Sequence, residues 1–127
     1  MPQEAYWRAG FALAPDDYIH EGRSDVTIFQ YFLFHIGQGG HVDPKRSTPL
    51  NYKAYKEGHV GGAGPFQSRS PVELTAHFST DRRRLTVAFG DGHYETYLNP
   101  AYLRYLYVLA WADRFGPFRV PVELVLH

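Results

Sequence analysis

Glu73, His93 and Glu95 are the residues of the chain best placed to do acid–base chemistry. The segments "VELTAHFS", "RLTVAFG" and "HYETYL" alternate apolar and polar residues, which puts Glu73, His77, His93, Glu95 and Tyr97 on one face of a predicted sheet. Pairing through a turn at 80–83 and a type I′ turn at Asp91-Gly92 sets Gly90 between Glu73 and His93, about 10 Å apart across two strand spacings. A histidine flanked by two carboxylates has its cation favoured, which suits a general acid; deprotonated, it is a metal ligand. The competing reading is a solvated sheet face carrying an ordinary ion pair.

A second set of candidates lies in "FHIGQGGHVDPKRSTPLNYKAYKEGHVGGAGPFQSRSP", residues 34–71. His35, His41, Asp43 and His59 are nitrogen and oxygen donors, and His41-Val42-Asp43 has the spacing at which two ligands leave an extended segment on one side. No third ligand is fixed by spacing, so neither a metal nor a cofactor is identified. His41, Asn51 and His59 imitate the ligand order of a ββα nuclease, but Pro44 and Pro49 break the hairpin and helix such a site requires. "GHVGGAG" lacks the order of a phosphate-binding loop and reads as a flexible connector. Lys45, Arg46, Lys53, Lys56 and Arg69 make the region basic, and Tyr52, Tyr55 and Phe66 supply stacking faces. The expected ligand-binding set is therefore His41, Lys45, Arg46, Tyr52, Tyr55, His59 and Phe66. Arg82, Arg83 and Arg84 fall at a predicted hairpin tip, either solvated or closing on a phosphate.

The elements that must position these residues read as α+β. Strands are expected near 72–79, 84–90, 93–98 and 118–126, the last at an edge because Pro121 cannot donate a ladder hydrogen bond. Asn99-Pro100 is a helix start and Gly116-Pro117 a stop, which predicts a helix near 100–115 packed on the sheet. Thr48, Pro49 and Gly58 likewise bracket a short helix. Residues 24–36 are capped like a helix by Ser24 and Gly37, yet carry the β-branched and aromatic residues of a buried strand, so both readings stay open. The helix of 100–115 is apolar all round, which calls for cover on more than one side. Either the N-terminal segment supplies that cover, or a homodimer hides Tyr105, Tyr107 and Trp111.

At the scale of the chain, 127 residues without repeats or a charged linker suggest one domain over 1–127. Thirteen basic residues balance thirteen acidic ones, so no global field draws the chain to nucleic acid or anionic membrane. The absence of cysteine excludes disulfides, thiolate metal sites and cysteine nucleophiles. No signal peptide or span of about 20 apolar residues is seen, which leads to an expectation of a soluble cytoplasmic protein. Aromatic residues form 17% of the chain, more than a core of this size needs, so some face a ligand or partner. The reading that follows is a noncatalytic binding or regulatory protein presenting region 37–71 to a small molecule or protein partner. Two alternatives stay open: a small His/Glu acid–base or metal-assisted hydrolase, and a nucleotide or single-stranded nucleic-acid binder.

Overall fold

The structure, a computed structural model, describes residues 6–16, 31–38, 50–69 and 72–113. These residues form eight strands: β1 (Tyr6–Ala14), β2 (Phe32–Gln38), β3 (Leu50–Lys56), β4 (His59–Phe66), β5 (Leu74–Ser79), β6 (Arg84–Phe89), β7 (Gly92–Tyr97) and β8 (Tyr105–Asp113). A single 3₁₀ turn, Pro100–Arg104, leads into β8. One antiparallel sheet has the order β4-β3-β2-β1-β8 and the other β5-β6-β7.

The α+β expectation is thus overturned, since the described residues form an almost wholly β structure. The start signal at 99–100 is genuine, because Asn99 Oδ1 accepts from the Ala101 amide at 3.0 Å, but it caps only the 3₁₀ turn. Beyond Arg104 the run "YLYVLAWAD" pairs with β1 over nine positions, from Tyr6↔Asp113 to Ala14↔Tyr105. An apolar, aromatic run without clear periodicity suits a strand as well as a helix, and a distant pairing partner decided between them. The short helix at 48–58 is corrected for a related reason. Leu50–Lys56 is β3, and Gly58 closes a hairpin instead of a helix: Glu57 (φ 51°) and Gly58 (φ 83°) make the two-residue turn before β4, both left-handed as a type I′ turn requires. Of the open 24–36 segment, the described part from Phe32 onward is strand. The strand expected at 118–126 lies outside the described residues.

The two sheets share one core. Phe11, Leu13, Phe32, Phe34, Ile36, Ala54 and Phe66 from the larger sheet meet Leu85, Val87 and Phe89 from the smaller. Phe89 is its centre, with ring centroids 4.6 Å from Tyr52, 5.0 Å from Phe66 and 5.2 Å from Phe34. Burying each such ring contributes roughly 1.5–3 kcal/mol. The glycines of "GHVGGAG" serve this packing. A Cβ at Gly62 would stand 2.8 Å from Tyr94 Cε1 and one at Gly61 2.5 Å from the Tyr94 hydroxyl, so their bareness lets the smaller sheet settle on β4. At one end of the sandwich the Tyr102 hydroxyl donates to Glu57 Oε1 at 2.8 Å and Lys56 Nζ donates to the Tyr97 carbonyl.

Candidate functional site on the outer face of the small sheet

The β5–β6 hairpin pairs as its alternation predicts, Phe78 opposite Leu85 and Ala76 opposite Val87 around the 80–83 turn. The next turn is displaced by one residue from the expected Asp91-Gly92. Phe89 pairs with Gly92, and Gly90 (φ 56°) and Asp91 are the central residues. Positive φ at the first position alone is the type II′ pattern. Gly90 has no room for a side chain either, because a Cβ would lie 2.3 Å from the Gln67 carbonyl. Two hydrogen bonds fix this turn to the segment after β4: the Gln67 amide donates to Asp91 Oδ1 and the Asp91 amide to the Gln67 carbonyl, both at 2.9 Å.

Beside that clamp lies an open depression of about 250 Å³, lined by Ser68, Arg69, Glu73, Thr75, Ala88, Phe89 and Gly90. Arg69 and Glu73 are exposed on its walls, and among the described residues neither charge is spent on an ion pair or a side-chain hydrogen bond. Opposite charges facing one small cavity, with Ser68 and Thr75 hydroxyls beside them, can hold a polar ligand by two ends.

The shifted turn separates the expected His/Glu cluster. Ala88, not Gly90, lies between His93 on one side and Thr75 on the other, which leaves Glu73 beyond the end of the ladder. Glu95 stands opposite Thr86, with Oε2 3.8 Å from Arg84 Nη1. Arg84 also donates to the Tyr97 hydroxyl at 3.2 Å, which, ahead of the nearby Glu95 charge, raises its pKa above the usual guanidinium value. His93 and His77 are exposed on the same face. Arg82 and Arg83 are exposed at the hairpin tip, as expected, with Arg83 at φ 51°.

The expected stacking set divides. Tyr52 and Phe66 are turned into the core against Phe89 and are not available as stacking faces. Tyr55 points to the opposite side of the large sheet, its ring 6.0 Å from that of His35 and 5.2 Å from Lys53 Nζ. His59 opens β4 and is exposed. His41, Asp43, Lys45 and Arg46 lie outside the described residues. Residues 50–66, expected as loop around a helical turn, are the β3–β4 hairpin. Tyr105 and Tyr107 are half-buried on β8, which also carries Trp111.

His35, considered as a metal ligand, is 8% exposed in the middle of β2. Burial first, then the nearby Arg8 and Lys53 charges, lowers its pKa to about 4. Two cations beside an imidazole oppose a bound metal ion as they oppose a proton. Among the described residues no three His, Asp or Glu side chains gather as a metal site, and no helix is long and apolar enough to cross a membrane.

In the sequence Arg69 belongs to a basic loop and Glu73 to a predicted strand, and no spacing joins them or points to the Asp91 clamp. The contact joining 67–69 to the 90–91 turn crosses from one sheet to the other and leaves no spacing signal. No protein-family model matches the chain, and no curated protein or solved structure matches it either.

Proposed function

We propose that the protein is a noncatalytic binding or regulatory protein that takes a small zwitterionic ligand in the depression between residues 68–75 and the β6–β7 turn. The observation that carries this reading is the pair of charges, Arg69 and Glu73, that among the described residues have no ion pair and stand on the walls of the depression beside the Gln67–Asp91 clamp. A volume of about 250 Å³ is below the usual range for drug-sized ligands and suits a molecule the size of a free amino acid. The ligand's carboxylate meets the Arg69 guanidinium and its ammonium meets Glu73. Catalysis is not favoured, because His93 stands two strands away from Thr75 and Glu95 faces Arg84. A cytoplasmic location accords with a chain that has no cysteine.

Titrating isotopically labelled protein with free L-amino acids tests the reading. Amide shifts are expected at Ser68, Arg69, Thr75 and Gly90. Arg69→Gln and Glu73→Gln, both at exposed positions, should each weaken binding about tenfold, or about 1.4 kcal/mol, at unchanged melting temperature. Saturable binding that maps elsewhere, or no binding by any amino acid, rejects it.

A further inference from the structure

Tyr97 is 62% exposed, more than any other large hydrophobic side chain among the described residues. It pairs with Arg84 across β6 and β7 and lies on the polar outer face of the small sheet, opposite the side that buries Leu85 and Val87. A ring so placed contributes little burial to the fold. It is nevertheless held. The Arg84 guanidinium carbon lies 5.4 Å from the ring centroid and Nη2 donates to the phenol oxygen at 3.2 Å, while Glu95 Oε2 stands 3.8 Å from Arg84 Nη1. A ring positioned by its own neighbours and largely open to water is a stacking platform that needs little further ordering when a ligand arrives.

The β5–β6 tip brings charge to the same end of the sheet. The Leu98 amide donates to the Arg83 carbonyl at 2.8 Å, which ties the tip to the residue after Tyr97. Arg82 and Arg83 are exposed, and among the described residues neither has an ion pair or a side-chain hydrogen bond. Lys56 adds a further cation, its ammonium bonded to the Tyr97 carbonyl. Three acids share this end: Glu95 is drawn to Arg84, Glu57 accepts from the Tyr102 hydroxyl, and Asp81 is exposed beside Arg82. Lys56, Arg82, Arg83 and Arg84 against these three leave a surplus of one positive charge, and the groups without a partner include both tip arginines.

We infer that this end of the outer face binds single-stranded nucleic acid, with one base stacked on Tyr97 and the adjoining phosphates held by Arg82 and Arg83. A strand supplies both complements at once: a flat ring for the open side of Tyr97, and negative charges that repeat along the chain for the two arginines. An acidic peptide brings the charge without the ring. A mononucleotide brings one base and one phosphate, and leaves the second arginine unmatched. The small charge surplus makes the binding weak and dependent on salt. No base sequence is read, because every base offers a face that can stack. The surface is separate from the depression, so this inference and the amino-acid reading stand or fall independently.

Fluorescence anisotropy of labelled oligothymidylate and oligouridylate, each titrated with the whole chain at several salt concentrations, tests this. Saturable binding is expected at low salt, with log K falling against log salt at a slope of about −1.4 to −2.1, as two or three phosphate contacts require. Tyr97→Leu should weaken binding about fivefold or more at unchanged slope, and Tyr97→Phe, which keeps the ring, should bind as wild type does. Arg82→Gln/Arg83→Gln, at exposed positions, should flatten the slope by about 1.4 at unchanged melting temperature. Binding of either strand with these signatures supports the inference, and the comparison of the two shows whether DNA or RNA is preferred. Failure of both strands to bind overturns it, as does binding without the salt slope or binding that Tyr97→Leu leaves intact. Equal affinity for thymidine monophosphate, or tighter binding of polyglutamate, overturns it as well and gives the surface to a mononucleotide or to an acidic protein.

Discussion

His35 illustrates how one residue's surroundings set a property of the whole protein. Its folded pKa of about 4 lies below the unfolded value near 6.5, because a proton there would be buried between Arg8 and Lys53. Between these two values the unfolded chain binds the proton and the folded chain does not, so this residue makes stability fall as pH drops from about 6.5 to about 4. Two and a half units at about 1.4 kcal/mol each put the full loss on the order of 3 kcal/mol. Urea melts of wild type and His35→Gln at pH 7.5, 6 and 5 check it: the variant should lose less stability over this interval. Parallel losses would mean that carboxylates alone set the acid response. The sequence shows His35 and its near neighbours but not this environment, since Arg8 and Lys53 reach it from two other strands.

Among the elements, β5 and β6 were legible because Leu74, Phe78, Leu85 and Val87 alternate with polar residues, as a strand with one wet face must. β3 and β8 were not, because a Pro-capped start and a glycine stop also describe turns at the two ends of a strand. "GHVGGAG" was misread for the opposite reason: its glycines looked like flexibility, while they make the close contact that seats Tyr94. Adding a methyl group as Gly62→Ala should therefore destabilise the fold by about 1–3 kcal/mol, the usual cost of overpacking. Thermal melts of Gly62→Ala beside Gly62→Ala/Tyr94→Leu check the cause. If the second substitution recovers none of the loss, the crowding lies elsewhere. In the candidate site, the alternation of β5 marks Glu73 and the local composition marks Arg69 as basic, but that both line one depression depends on where the β6–β7 turn lands, and that turn lies one residue from its expected place.

The whole molecule depends on a small number of rings that touch both sheets. Phe89 is 1% exposed and meets Phe34, Tyr52 and Phe66 together. Phe89→Ala should cost about 3–5 kcal/mol, a large part of the 5–15 kcal/mol typical of a domain. Chemical denaturation gives the value, and a loss under about 1 kcal/mol would show that the sheets are held together by other contacts. The β1–β8 ladder carries a consequence of another kind, in time. β1 lies between β2, which follows it in the chain, and β8, whose partner residues run from Tyr105 to Asp113. A nascent chain can close the β3–β4 and β6–β7 hairpins as soon as each has emerged, but β1 must wait with one side open until almost all the described sequence has been made. Long-range pairing of this kind places folding in roughly the millisecond-to-second range, and the interval before β8 arrives is when the newly made protein is most exposed to pairing with the wrong strand.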